Sequence, residues 1–173
     1  MMRNQNKNCN FVPDNDKQKQ KKSTKMKVYF DNCAYNRPFD DQSQIRIHLE
    51  TQAKLYIQQL ITNGKLRLAY SYVSRYENSN SSHTKNRATI EKFFRNAVSF
   101  VDIDKADIIE KRANEIMKYG VKAKDALHIS CAIEAGCDCF ITTDDGILKK
   151  YENGDIKVCS PIEFTTLWED FYV

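Results

Sequence analysis

From Met26 onward, short runs rich in Val, Ile, Tyr and Phe alternate with longer segments whose apolar residues recur every three or four positions. Strands with a period of two and helices with a period of 3.6 produce such a pattern, which predicts an α/β fold with a mostly parallel central sheet flanked by helices on both faces, a three-layer sandwich. Residues 27–31 (KVYFD) read as a first strand ending in an acid. After the Pro38 turn, Ser43 is placed to cap a helix running to about Thr62, with Ile45, Leu49, Ala53, Tyr56, Ile57 and Leu60 near helical spacing and Asn63-Gly64 as its stop. Residues 66–70 (LRLAY) predict a second strand, then a helical turn carrying Glu77 and a polar loop over 78–82. Further on, 89–97 reads as helix, 99–103 as a short strand and 104–119 as helix closed by Gly120. A buried helix starting near Asp125 ends at Gly136, and a strand of the fully buried kind, 139–142 (CFIT), follows it with Asp144 just beyond. A last strand at 157–159 precedes Pro161, which suits the first turn of a terminal helix.

Charge alters this picture only at the N-terminus. The 173 residues carry 27 Lys+Arg against 23 Asp+Glu, a net +4. Residues 1–25 hold seven of the basic groups and two Asp, a net +5, which leaves residues 26–173 at −1. The expectation is a disordered basic tail over 1–25, too poor in apolar residues to offset the entropy of ordering, and a single domain over 26–173. No apolar run approaches the roughly 18 residues that span a bilayer, and the N-terminus lacks the apolar stretch of about 7–15 residues of a secretory signal, so the expected location is the cytoplasm, with no membrane contact. Six cysteines without an oxidising compartment read as free thiols, and the Cys137-x-Cys139 pair lacks the partners of a four-ligand zinc site.

In an open parallel sheet, ligands gather beyond the carboxyl ends of the strands. Asp31, Asp144 and Asp145 stand at such ends, Asp125 at a helix N-terminus that favours a carboxylate, and Glu77 one element after the second strand. If these acids converge, their mutual repulsion makes the site a seat for a divalent cation that prefers oxygen, Mg²⁺ or Mn²⁺, able to act on a phosphodiester. Each also has an ordinary role open to it: Asp125 as a helix cap, Asp145 and Asp31 as turn residues, Glu77 as a solvated helix residue. His128, three residues after Asp125, is expected to be a satisfied histidine in a buried helix. Arg37 and Arg46 are expected where a nucleic-acid backbone could meet them, and Tyr70 and Tyr72 in the core.

The segments VYFDN, SRYEN, KAKDALHISCAIEAGCDCFITTDD and GILKK together resemble the PIN-domain family, the nuclease domain of VapC-type toxins of bacterial toxin–antitoxin pairs, over residues 26 to about 164. The resemblance implies a Mg²⁺-dependent endoribonuclease with Asp31, Glu77, Asp125 and Asp144 as the metal-binding acids and Thr142 as the hydroxyl residue that supports them. It also implies an RNA substrate, a cognate antitoxin protein as partner and a homodimer. After the first acid, where many members carry Thr or Ser, this chain has Asn32 and Cys33, and Asn32 is able to orient a carboxylate or donate to a phosphate. Two other readings stand beside it: a PIN-fold RNA-binding or regulatory module with weak chemistry, and a different Mg²⁺-dependent α/β phosphotransfer enzyme. The latter in its haloacid-dehalogenase form wants D-x-D after the first strand, where this chain has Asp31-Asn32-Cys33.

Overall fold

The structure is a computed structural model that describes residues 25–151 and 154–172. Apart from Lys25, the basic tail expected over 1–25 lies outside the described residues, and so does Cys9. Five strands, β1 (Lys27–Phe30), β2 (Arg67–Ser71), β3 (Ser99–Val101), β4 (Cys139–Ile141) and β5 (Lys157–Cys159), pair in the order β3-β2-β1-β4-β5 with every neighbour parallel. The first strand is therefore the middle one. The chain winds outward from it on one side through β2 and β3, then returns to its other side as β4, so the winding reverses beside β1, where parallel sheets open a crevice.

Among the described residues, eight helices connect and cover the strands: α1 (Asn32–Asn36), α2 (Ile45–Thr62), α3 (Tyr72–Ser79), α4 (Thr84–Phe94), α5 (Ala106–Met117), α6 (Ala123–Glu134), α7 (Asp145–Lys150) and α8 (Pro161–Tyr172). Alternate side chains of each strand serve opposite faces. Tyr29, Ala69, Val101 and Phe140 face Ile109, Ala113, Ala126 and Ile129 of α5 and α6. Val28, Phe30, Leu68 and Ile141 face Ile57, Leu60, Ile90 and Phe164 of α2, α4 and α8. Each large side chain buried this way contributes about 1.5–3 kcal/mol, so the two cores hold the sheet rigid beneath its edges. Tyr70 belongs to this packing, stacked on Phe94 at 4.6 Å, and Tyr72 packs against the α5/α6 core. Cys33, Cys131, Cys137, Cys139 and Cys159 are free thiols. No described helix is long and apolar enough to cross a membrane.

Several boundaries differ from expectation. The N-cap of α2 is Gln44, not Ser43, whose N–H is taken by the Asp41 carboxylate at 3.0 Å, a local turn that keeps Ser43 outside the helix. Helix α4 begins at Thr84 rather than 89 and ends at Phe94, because its first turn faces solvent and shows no apolar period before Ile90. A 3-10 turn (Ile103–Lys105) precedes α5 where continuous helix was expected from 104. Helix α1, and α7 in place of the turn expected at Asp145, are too short to leave a period. Gly136, at φ +63°, ends α6 and sends the chain directly into β4, which carries the next part of the site.

Candidate active site

Asp31 follows β1 immediately, its N–H donating to Ile141 O at 2.9 Å, and it is only 5% exposed. Its carboxylate is fully engaged. Oδ1 accepts the Asn32 N–H at 2.7 Å, and Oδ2 accepts the Thr142 hydroxyl at 2.9 Å and the Cys33 thiol at 3.0 Å. Burial, followed by the Asp31 charge, pushes the Cys33 thiol up to about 12, so it stays protonated and remains a donor. Asn32 thus orients Asp31 through its main chain, while its side-chain oxygen faces Asn36 Nδ2 at 3.3 Å.

Thr142 emerges from β4 with no exposure, and its oxygen also accepts the Asp144 N–H at 3.1 Å. Asp144 caps α7 by accepting the Gly146 N–H on Oδ1 at 2.6 Å. From the first turn of α6, Asp125 completes the group. Burial, then the charges of Asp31 and Asp144, hold its carboxyl above the ordinary range. Asp125 and Asp144 line one cleft of about 190 Å³ with Lys122 and Lys150 on its walls.

Glu77 stands apart from this trio. Its Oε1 lies 2.6 Å from Lys124 Nζ and its Oε2 2.7 Å from His128 Nε2. Burial pushes its carboxyl up, but the His128 contact and then Lys124 outweigh burial and leave it below the ordinary carboxylate range. Lys124 links the two parts of the site: its ammonium is held up chiefly by Glu77 and further by Asp125 and Asp31. A polar groove lined by Asn32, Asn36, Asn80 and Ser81 opens beside Glu77 and Lys124.

Arg37 and Arg46, expected to meet a nucleic-acid backbone, are instead committed to ion pairs. Both bind the buried Glu50 at 2.9 Å, and Arg46 also grips Asp145 with two N–H groups, at 2.8 and 2.6 Å. Arg37 Nη2 further donates to Thr143 O at 3.4 Å. Asp145, held below the ordinary range first by the Arg46 hydrogen bond, thereby tethers the start of α7 to α2. The role of Lys124 left no sequence signal, since it depends on contacts between distant segments.

Among the described residues, no three His, Cys, Asp or Glu side chains already close into a coordination set. The donor chemistry nevertheless suits Mg²⁺ or Mn²⁺: Asp31, Asp125 and Asp144 offer hard carboxylate oxygens, and those of Asp125, whose carboxyl is raised by burial and then by the charges of Asp31 and Asp144, take no hydrogen bond among the described residues.

A family model described as PIN domain matches residues 32–153. No curated protein matches the chain. Among solved structures, FitAcB from Neisseria gonorrhoeae aligns at TM-score 0.50 and 14% identity, covering 78% of this chain and 98% of its own. VapBC-1 from nontypeable Haemophilus influenzae aligns at 0.49 and 15%, covering 79% and 99%. VapBC2 from Rickettsia felis, solved bound to a DNA fragment from its promoter, aligns at 0.48 and 16%, covering 78% and 98%.

Proposed function

Because the chain belongs to the PIN-domain family, we propose that it is a metal-dependent endoribonuclease, the toxin of a toxin–antitoxin pair, acting in the cytoplasm on RNA and restrained by a cognate antitoxin. The observation that carries this reading is that Asp125 and Asp144 line one cleft while Thr142 ties Asp144 to Asp31, at the carboxyl edge of the sheet beside the point where its winding reverses. Asp31, Asp125 and Asp144 would hold the Mg²⁺ or Mn²⁺, with Glu77 completing the acidic cage. Such an ion, when bound, lowers the pKa of water and offsets the charge of a phosphodiester.

The chain's own residues do the rest. Thr142 keeps Asp31 and Asp144 at a fixed separation by bonding both. Lys122, Lys124 and Lys150 stand around the acids and supply the positive charge that a polyanionic backbone needs, although residues 26–173 are near neutral as a whole. Asp125, free of hydrogen bonds among the described residues, is placed to accept a proton from an attacking water. The homodimer expected of this family would set two such sites in one particle, a state that sedimentation of the purified protein reads directly.

Cleavage of end-labelled single-stranded RNA by the purified protein, with Mg²⁺ or with EDTA and alongside Asp125→Asn, tests the reading. Cutting that needs the metal and disappears in the folded variant is the expected result. RNA bound equally with and without Mg²⁺, with no cutting in any lane, would replace the enzyme by an RNA-binding module.

A further inference from the structure

Glu77 reaches the site differently from the aspartates. Asp31 and Asp144 follow strands and are fixed by caps, whereas Glu77 sits within α3 on a longer side chain, and its hydrogen bonds all come from another helix. Lys124 and His128 lie one turn apart on α6 and so share a face. Each takes one oxygen of Glu77, but they are unequal holders: the Lys124 side chain is 66% exposed and free to swing, while His128 has no exposure at all.

Behind His128 the contacts continue inward. Its Nδ1 is 3.0 Å from the hydroxyl of Tyr29, in the middle of β1, and that hydroxyl is 2.7 Å from both Ser71 Oγ and Ser74 Oγ. The donors can be assigned by chemistry. A carboxylate has no hydrogen to give, so His128 Nε2 carries the proton and donates to Glu77. Nδ1 shares the remaining hydrogen bond with the Tyr29 hydroxyl, which in turn meets the two serine hydroxyls. Every polar atom of this buried chain has a partner, from Ser71 and Ser74 through Tyr29 and His128 to Glu77 Oε2. A histidine kept only to fill the core would need no such alignment with an acid at the crevice.

We propose that His128 is a positioning residue for Glu77, and that the buried serine, Tyr29 and His128 chain sets how tightly the site takes a divalent cation. The proposal rests on the nuclease reading. It assigns His128 an effect on metal affinity that exceeds any effect on the fold, as groups that orient ligands from behind usually have.

Mn²⁺ binding, followed by electron paramagnetic resonance with a melting curve for each protein, separates the possibilities. The informative pair is His128→Gln, whose amide N–H lies near the Nε2 position, against His128→Asn, whose amide mimics Nδ1 and leaves Glu77 Oε2 without its donor. Affinity close to wild type in the first, and a loss of about tenfold to a hundredfold in the second, is the expected result. Tyr29→Phe, which removes the link behind His128, should lose affinity in the same direction. Equal affinities in the Gln and Asn variants, while Glu77→Gln binds weakly, would overturn the positioning role and leave the nuclease reading intact. A wild-type protein that binds no Mn²⁺, or Glu77→Gln binding as wild type does, would remove the metal role of Glu77 and the proposal with it.

Discussion

The hydroxyl of Thr142 donates to Asp31 Oδ2 at 2.9 Å across the junction of β4 and β1, and the same oxygen receives the Asp144 N–H. One buried atom therefore spaces two acids that are far apart in sequence. Thr142→Val keeps the shape and deletes that atom, leaving a buried donor and part of a buried carboxylate unpaired. We expect about 1–3 kcal/mol lower stability by urea denaturation and RNA cleavage reduced at least tenfold, with Thr142→Ser close to wild type.

Gly146 tests Asp144 separately. A Cβ on Gly146 would stand 2.8 Å from Asp144 Oδ1, too close for the carboxylate to stay where it caps α7. Its φ is not in the left-handed region, so alanine imposes no backbone strain. Gly146→Ala should therefore shift the acid without unfolding the chain: cleavage falls tenfold or more while the melting temperature changes by only a few degrees. A fully active variant would separate the Asp144 cap from the chemistry.

The ion pairs around Arg46 and Glu50 divide by burial. Arg46 and Asp145 are about half exposed, so Asp145→Asn should lower stability only slightly, and less in high salt. Glu50 is 2% exposed between two guanidinium groups. Removing it as Glu50→Ala leaves Arg37 with Asp40, at 2.9 Å, as its ion-pair partner and should cost about 1–3 kcal/mol, read from the shift of the urea midpoint.

Lys54 supplies a pH signature unconnected with the acids. It is 3% exposed on α2, its ammonium about 6 Å from the Tyr35 and Phe93 rings, and burial draws its pKa from 10.5 down to about 7. Between those values the unfolded chain holds a proton that the folded protein has released, so stability rises as pH goes from about 7 towards 10.5. Lys54→Met should flatten that rise and stabilise the protein at pH 7 by a few kcal/mol. Parallel slopes for the two proteins in urea titrations from pH 6 to 10 would refute the assignment.

The sheet, the two cores and the order of the acids were legible in the sequence because each rests on a local pattern: a run of apolar residues closed by Asp31, another closed by Thr142 and Asp144, and an apolar helix headed by Asp125. The start of α4 was not, since a helix turn that faces water has no period to read. The contacts of Arg37 and Arg46 were hidden for a different reason. Arg46 and Glu50 are spaced i, i+4 on α2, but Glu50 becomes a partner of Arg37, and Asp145 of Arg46, only once separate segments meet in the fold. The pairing of Glu77 with His128 joins residues from separate helices and belongs to the same class.

The central place of β1 has a consequence for how the protein is made. Its two neighbours are β2, which follows soon after it, and β4, which begins only at Cys139. A growing chain on the ribosome must therefore carry an open edge on its central strand through most of synthesis, and Asp31 waits without Thr142 or Asp144 until the last third has emerged. The proposed nuclease activity would in this way be withheld from any product that stops short of Asp144, with the arrival of β4 serving as the check.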